Sequence, residues 1–323
     1  MCIRDRLASA RTMAAVIPVR FQTELLFLPE HYLPLRDLAR RPELDGYDND
    51  WPEAGQGRLF DTPAEGLTVR VVAGSHDGQL HLLLNIGSEQ ERRVRLRLLA
   101  RDPRGLYSYT ISPEAPGPLQ LSSQRDGAGQ VEGFWLDRPV EGAGAAYRVE
   151  LSLPLAARDA EIAVQAALVD TGGGNAGAPS RPGRPEWVRL VPRWEEFSDW
   201  LAGSALESTR TWLVDPQGWV LADSGGNSGS EPPGTLQTTW LQRSLYGLVA
   251  GERPERLAEQ WPASPVRIEA PVVQGALDGE AASHWAQDLE TAVVWNTVAV
   301  PVELQDSVRG AIVMQSTSEG LLL

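Results

Sequence analysis

The sequence contains no lysine, and all 29 of its basic residues are arginines. This absence excludes sites that depend on a lysine amine, such as Schiff-base enzymes, Ser-Lys dyads and P-loop nucleotide sites. The single cysteine, Cys2, excludes an intramolecular disulfide, and one Cys with 4 His does not favour a zinc site. Nucleophile-elbow, zinc-protease and dinucleotide-binding motifs are also missing, so we predict no catalytic residue.

The chain is acidic, with a net charge of −14 and a pI of about 4.8. Nucleic acids and anionic lipids require a basic surface, so neither is predicted as a main partner. No window approaches the roughly 18 consecutive apolar residues that cross a bilayer. The 323 residues are 42% hydrophobic and 22% charged, which predicts a globular chain of about two domains.

The two ends are unusual. Residues 1–6 read Met-Cys-Ile-Arg-Asp-Arg, which is typical of a gene-prediction artefact, and we leave them out of fold reasoning. The sequence ends on Gly320-Leu-Leu-Leu323 directly after a strand-like run. Both features predict a fragment of a longer protein.

Residues 44–51, Leu-Asp-Gly-Tyr-Asp-Asn-Asp-Trp, separate two kinds of pattern. Before them, 7–28 show helical spacing of apolar residues with a kink expected at Pro18, and 35–41 favour one or two more helical turns. Gly46 and its Asx neighbours are poor helix formers. The stretch is therefore predicted to be a hinge between two architectures.

Apolar and polar residues then alternate with the period of a half-buried antiparallel strand. Turn residues such as Ser75-His-Asp-Gly78 separate these runs. Many short strands of this kind predict a β-sandwich. The runs are 67–71, 80–85, 93–98, 147–153 and 162–168.

A Gly/Pro-rich stretch, 171–186, has the composition of a linker and marks a domain boundary. Beyond this linker, helical and strand patterns are mixed, so an α+β second domain is predicted. Its elements are a helix over 194–201 ending near Gly203, a hairpin over 210–222 around Asp215-Pro-Gln-Gly218, a helix over 240–249, and strands over 292–302 and 310–315 joined by a turn at 305–309.

The first half resembles a family-nine carbohydrate-binding module. The resemblance is carried by L-D-G followed by D-W, then D-G-Q-L-H-L-L-L-N-I, E-G-F-W and Y-R-V-E-L-S-L-P-L. It covers residues 41–170 and implies an antiparallel β-sandwich. It also implies a glycan as one class of ligand.

The second half resembles the extracytoplasmic Cache or PAS-like sensor domains of bacterial receptors. The carrying segments are W-L-V-D-P-Q-G-W-V-L-A, T-V-A-V-P-V and R-G-A-I-V-M-Q-S-T. The order of both halves is similar to the periplasmic region of a proteobacterial histidine kinase of the dedicated-sortase type. That resemblance implies a membrane-tethered homodimer at the periplasmic face of the inner membrane. No kinase sequence is present in the chain itself.

Taken together, these features predict a mainly β protein with an α+β second domain and an N-terminal helix. The segments are 7–40 as a juxtamembrane helical region, 41–170 as the sandwich, 171–186 as the linker and 187–323 as a Cache/PAS-like antiparallel sheet with helices.

The 11 tryptophans are the main candidates for ligand contact, because flat aromatic faces stack on sugar rings and anchor interfaces. The ligand class is an unknown small molecule, a glycan or a cell-envelope protein, and no cofactor is predicted. The candidates on the Cache-like sheet are Trp219, Trp240, Arg243, Trp285 and Trp295, and those on the sandwich are Trp51 and Trp135.

No metal site is predicted, although one cluster leaves two interpretations open. Asp45, Asp48, Asn49 and Asp50 supply the oxygen ligands that calcium prefers, but their spacing is not that of an EF-hand. The same residues also cap turns.

Three functions are compatible with these patterns. The first is the ligand-sensing extracytoplasmic region of a membrane-bound histidine kinase. The second is a secreted or surface carbohydrate-binding protein with an accessory domain. The third is a glycoside hydrolase that uses two of the 43 acidic residues as acid and base. The first is preferred because of the order of the two domains, the missing catalytic motifs and the abrupt ends of the sequence.

Overall fold

The structure is a computed structural model of the 323-residue chain. It describes residues 3–29, 31–51, 56–60, 66–88, 93–111, 116–121, 131–137, 146–169, 185–204, 209–225, 255–257, 265–288 and 294–317.

The chain forms two compact units, and one of them is inserted within the sequence of the other. Pro29–Pro192 form the first, which we call the sandwich unit. Met1–Leu28 and Arg193–Leu323 form the second, which we call the split unit because the sandwich unit is inserted between its two segments.

The sandwich unit is built on one mixed sheet of 11 strands. The order of hydrogen-bonded neighbours is β6-β5-β10-β11-β1-β3-β4-β9-β8-β7, and β2 pairs with β3. A 3-10 turn, Ala157–Asp159, joins β9 to β10. The strands are β1 (Tyr32–Asp37), β2 (Arg58–Phe60), β3 (Leu67–His76), β4 (Gln79–Ser88), β5 (Arg93–Asp102), β6 (Gly105–Ile111), β7 (Gly117–Leu121), β8 (Val131–Asp137), β9 (Ala146–Ala156), β10 (Glu161–Val169) and β11 (Val188–Pro192).

This sheet curls around a single apolar core. Its two edge strands, β6 and β7, contact each other, and inward-facing residues from all parts of the sheet form one buried cluster. The five alternating runs predicted from the sequence are confirmed as β3, β4, β5, β9 and β10. Alternation identified them because successive side chains of a strand point to opposite faces.

The sequence-based helix at 35–41 is wrong. Residues 32–37 form β1, which runs parallel to both β3 and β11. Leu33 and Leu35 alternate into the sandwich core, and this burial outweighs the weak local helical preference. The sheet therefore extends on both sides of the predicted limits 41 and 170, through β1 and β11.

The split unit contains four described helices and a six-stranded sheet of order β13-β12-β17-β16-β15-β14. All pairs are antiparallel except β14 with β15. The helices are α1 (Ile3–Arg20), α2 (Gln22–Phe27), α3 (Glu195–Ser204) and α4 (Pro271–Leu277). The strands are β12 (Thr209–Val214), β13 (Val220–Asp223), β14 (Glu255–Leu257), β15 (Ala282–Asp288), β16 (Val294–Leu304) and β17 (Ser307–Thr317).

Helix α4 covers one face of this sheet. It contacts β15, β16 and β17, and its Val272 and Ala276 share a buried cluster with Trp212, Ala299 and Val313. Residues paired across antiparallel strands point to the same side. Val313 pairs with both Trp212 and Ala299, so these three side chains define the α4 face.

Helix α1 covers the opposite face. It contacts β16 and β17, and its buried Ala10 and Ile17 lie outside the α4 cluster. Val298, Val300 and Met314 alternate with the residues of the α4 face and are buried as well. The strands β16 and β17 are thus packed between α1 and α4.

Most predicted elements of the split unit are confirmed. The helix over 7–28 forms as α1 and α2, with Pro18 inside α1 and the break at Phe21. The helix near 194–201, the hairpin over 210–222 and the last strand pair form as α3, β12–β13 and β16–β17. The predicted helix over 240–249 lies outside the described residues.

Candidate functional site

The stretch 44–51 lies in a loop, residues 38–51, that covers the outer face of β3, β4 and β9; we call it the cap loop. Leu38 and Trp51 pack with Val72 and Leu83, which point away from the sandwich core. Gly46 adopts φ +83, and a Cβ there would lie 2.7 Å from the Leu136 Cβ. The predicted hinge is therefore wrong, because the stretch packs within the sandwich unit, whose first residue is Pro29.

A buried carboxylate on β9 holds the cap loop. Glu150 is 0% exposed. Its Oε2 accepts hydrogen bonds from the Asp45 and Gly46 backbone N–H groups at 2.9 and 2.6 Å, and its Oε1 accepts one from Trp51 Nε1 at 2.8 Å. Burial raises the pKa of Glu150, and these three donors oppose that rise. The tryptophan that ends the motif is thus paired with a carboxyl group far along the chain.

Ion pairs complete the cap loop. Arg148 donates to Asn85 Oδ1 at 2.9 Å and to Asp48 Oδ2 at 2.8 Å. Asp50 pairs with Arg40 and accepts from the Glu43 backbone N–H at 2.8 Å.

These partners bear on the calcium interpretation of the cap loop. Asp45 Oδ1 caps the Tyr47 N–H at 2.9 Å, so all three aspartates of the stretch are engaged in the turn. Among the described residues, no group of three His, Cys, Asp or Glu side chains is arranged to hold a metal ion. This geometry supports the capped-turn interpretation.

His81 lies on the same outer face. It is 1% exposed, and neither ring nitrogen has a hydrogen-bond partner among the described residues. Burial, with smaller contributions from Arg41 and His76, lowers its pKa to about 4. His81 is therefore a neutral ring at neutral pH.

The two candidate tryptophans of the sandwich are both buried, at 3% exposure. Trp135 packs against Tyr147 with ring centroids 5.0 Å apart, and its Nε1 donates to Asp137 at 3.2 Å. Trp51 belongs to the cap loop. Neither residue presents an open aromatic face.

The Asp215-Pro-Gln-Gly218 turn joins β12 to β13. Buried Asp215 accepts from the backbone N–H groups of Gln217 and Trp219 at 2.9 and 2.7 Å. Gly218 adopts φ +83, and a Cβ there would lie 2.8 Å from the Ile268 carbonyl oxygen. The Arg267 guanidinium stacks on Trp219 at 5.1 Å. Trp219 is thus a packing residue of this turn.

Trp285 and Trp295 lie on neighbouring strands but point to opposite faces. Trp285 pairs with Asn296, whereas Trp295 pairs with Ala286. Because paired residues share a face and neighbours along a strand alternate, one side chain lies on each side of the sheet. The other two candidates of this domain, Trp240 and Arg243, lie outside the described residues.

A row of polar side chains crosses the α4 face at the level next to Trp295. The register pairs Arg210 with Gln315, Gln315 with Thr297, and Thr297 with His284. Gln315 Nε2 donates to Thr297 Oγ1 at 3.4 Å, and both residues are buried. We call Arg210, Gln315, Thr297 and His284 the polar row.

Trp295 adjoins the polar row, because it lies two residues before Thr297 on β16. Its Nε1 is buried and has no hydrogen-bond partner among the described residues. Buried donors in folded proteins are almost always paired, so an orphaned indole N–H beside polar groups favours a ligand or an ordered water. Arg210 adds a cationic donor, and Gln315 supplies both a donor and an acceptor.

The sequence identified only Trp295 within this group. The polar row depends on strand register, which a single sequence does not show. A usable signal exists: Thr297 and Gln315 are polar at positions in phase with buried Ala299 and Val313. Polar residues on the apolar phase of a strand are costly to bury and so are candidates for function.

Within the part of the chain that the structure describes, no helix is long and apolar enough to cross a membrane. No family model and no curated protein matches the chain. Among solved structures, it is similar to a family 9 carbohydrate-binding module from Caldicellulosiruptor kristjanssonii in complex with glucose, at 9% identity and a TM-score of 0.32. That match covers 50% of this chain and 97% of the module, and a likeness at this level assigns no function.

Proposed function

We propose that this chain is the extracytoplasmic ligand-sensing region of a membrane-bound two-component histidine kinase. In this proposal it lies at the periplasmic face of the bacterial inner membrane, tethered and dimerised through parts outside the chain. The polar row with Trp295 receives the ligand, which is a small polar molecule.

One observation carries the proposal: β16 and β17 bear α1 on one face and the polar row on the other. A ligand that draws Thr297 and Gln315 together acts on the same two strands that support α1. Protein cores are close-packed, so a change on one face of a strand is felt on the other. The N-terminal helix and the last described strand of the split unit are thereby coupled to one site.

Sensing requires more than binding. A ligand shifts a two-state equilibrium only by its difference in affinity for the two states. Groups contributed by three different strands satisfy this need, because their mutual distances depend on the arrangement of the sheet. Arg210 is on β12, Gln315 on β17 and Thr297 on β16.

The groups also indicate the ligand's chemistry. Arg210 favours a carboxylate or another anionic group, which a guanidinium binds with two hydrogen bonds. Trp295 Nε1 calls for an acceptor, and its ring offers an apolar face. An amino acid or small organic acid fits both requirements.

The alternative, a carbohydrate-binding protein that acts through its sandwich, has less support. Its two candidate stacking residues, Trp51 and Trp135, are buried and hydrogen-bonded within the fold. A sugar would have no stacking partner at either position.

A thermal-shift screen of amino acids and small carboxylates on the full chain tests the proposal. Ligand at about 100 times its Kd adds roughly 2.7 kcal/mol to the split unit, which raises its Tm by a few degrees. The stabilisation is expected to disappear in Arg210→Ala and in Thr297→Val. Arg309→Ala is the matched control, because Arg309 is an exposed arginine of the same sheet away from the polar row.

The outcomes are distinct. Stabilisation that survives both Arg210→Ala and Thr297→Val contradicts the site. Stabilisation confined to the transition of the sandwich unit contradicts the proposed function, because the polar row lies in the split unit. Absence of stabilisation by any member of the panel rules out the proposed ligand class.

A further inference from the structure

The outer face of β5 carries a line of arginines. Val94, Leu96 and Leu98 of this strand point into the sandwich core. The alternate residues Arg95, Arg97 and Arg101 point outward and are exposed. Residues two apart on a strand are separated by roughly 6.6 Å, so Arg95 and Arg97 present two guanidinium groups at that interval and Arg101 a third further along.

The line extends sideways across the sheet. Arg101 pairs with Glu161 on β10, and Glu161 pairs with Arg189 on β11, so all three point outward. Arg101 forms a salt bridge with Glu161 and also stacks on Trp187 with its Cζ 4.5 Å from the ring centroid. We call Arg95, Arg97, Arg101 and Arg189 the arginine stripe.

The charge of the stripe opposes that of the whole chain. The sequence has 43 acidic and 29 basic residues. The described outer face of β6, β5, β10 and β11 carries the four arginines of the stripe and the carboxylate of Glu161. A local basic surface on an acidic protein is not expected from average composition, and it concentrates anions at that surface.

The floor of the stripe includes apolar side chains. Leu99 lies between Arg97 and Arg101 on the same face, and its β10 partner is Ala163. Both are buried, although they point away from the core. On the β6 side, Arg97 Nε donates to Ser108 Oγ at 3.1 Å, which fixes the direction of that guanidinium.

We propose that the arginine stripe binds an acidic polysaccharide. An extended polyanion with successive carboxylates matches the several guanidinium groups along β5, because each pair makes charge-assisted hydrogen bonds. Trp187 adds an aromatic surface at one end, where a sugar ring stacks. This surface belongs to the sandwich unit and is independent of the polar row.

Other polyanions fit less well. Duplex nucleic acid brings a high charge density against a chain of net charge −14, and the stripe is narrow compared with a duplex. An anionic bilayer is favoured by protruding basic and apolar side chains, whereas the floor of this stripe is buried. An acidic peptide carries charge at a similar interval but loses more conformational entropy when it is extended.

The test measures binding of fluorescein-labelled polygalacturonate to the full chain by fluorescence anisotropy at low ionic strength. The double variant Arg95→Gln/Arg97→Gln is expected to weaken binding by about tenfold or more, because two charge-assisted contacts are lost. Arg158→Gln/Arg309→Gln is the control: it removes the same charge from exposed arginines outside the stripe and is expected to leave the affinity unchanged.

Three comparison probes make the result decisive. Methyl-esterified polygalacturonate, poly-glutamate and vesicles containing phosphatidylglycerol are expected to bind more weakly than polygalacturonate. No binding of polygalacturonate, or equal loss in both double variants, overturns the proposal. Tighter binding of poly-glutamate or of the vesicles assigns the stripe to an acidic peptide or to a membrane instead, and equal binding of the esterified polymer shows that charge is not what is recognised.

Discussion

Trp51 in the sandwich unit and Trp295 in the split unit make an informative pair. Both were selected from the sequence as ligand contacts, and both have an indole N–H shielded from water. Trp51 Nε1 donates to buried Glu150, and the same carboxylate holds two backbone N–H groups of the cap loop. Trp295 Nε1 has no partner among the described residues.

The difference separates structural from functional polar groups. A network in which the buried donors find acceptors rigidifies the fold and leaves little for a ligand to bind. A buried donor without a partner lowers the stability of the fold, and such a donor is retained where it serves a function. By this criterion the cap loop is a structural device. The indole N–H of Trp295, unpaired among the described residues, lies beside the polar row, and the two features together make that region the binding candidate.

Removal of the Glu150 carboxylate is expected to have the largest effect on stability. Glu150→Ala leaves three donors of the cap loop without their acceptor, and we expect the sandwich unit to lose about 3 kcal/mol or more of unfolding free energy. Glu132→Ala is the control, because its salt bridge with Arg41 is more than half exposed at both side chains and exposed pairs contribute about 1 kcal/mol or less. Urea unfolding followed by circular dichroism measures both. A loss in Glu150→Ala no greater than in Glu132→Ala would contradict the structural role.

The low pKa of His81 predicts a loss of folding stability of similar size that depends on pH. Its pKa is lowered to about 4 in the folded protein, from the ordinary histidine value of 6.5. Between these values the unfolded chain binds a proton that the folded chain does not, so stability falls as the pH decreases and the full loss is about 3 kcal/mol. Urea unfolding at a series of pH values measures this slope.

His81→Leu supplies the reference for that slope. The variant keeps an apolar side chain in the buried site and removes the titration, so its stability should fall less on acidification. The raised pKa of Glu150 acts in the opposite sense, because the folded state then holds its proton to higher pH. That contribution is common to both proteins and cancels in the difference. Parallel pH profiles for the two would show that His81 is not responsible.

The smallest expected effect is the difference in stability between two tryptophan variants, and it tests the comparison of Trp51 with Trp295 directly. Trp51→Phe deletes a donor from a buried carboxylate, whereas Trp295→Phe deletes a donor that has no described partner. We expect the first to cost about 1–2 kcal/mol more than the second, since the substitution breaks a described hydrogen bond at Trp51 and none at Trp295. Equal losses in urea unfolding would mean that Trp295 Nε1 is satisfied in solution.

The parts of the fold that local pattern determines could be predicted. Alternation identified five strands of the sandwich, and the Asp215-Pro-Gln-Gly218 turn placed a hairpin correctly. The strands that were missed depend on distant partners. β1 is short, contains Pro34 and is completed by β11, about 150 residues later. No local window contains that information.

The site was less predictable, for a related reason. Counting tryptophans selected aromatic residues without showing the face to which each points. Trp285 and Trp295 are ten residues apart, yet the register of β15 and β16 places them on opposite sides of the sheet. Conversely, Arg210 and His284 are far apart in sequence and lie in one row only because four strands align.

The insertion of the sandwich unit also has a consequence for the order of folding. The apolar face of α1, including Ala10 and Ile17, is covered by β16 and β17, which are made some 280 residues later. At typical synthesis rates of about 5–20 residues per second, α1 waits on the order of 15 to 55 s for its partners. The sandwich unit is a continuous segment and can close during that interval. Helix α1 is therefore synthesised early but is among the last elements to pack in the fold.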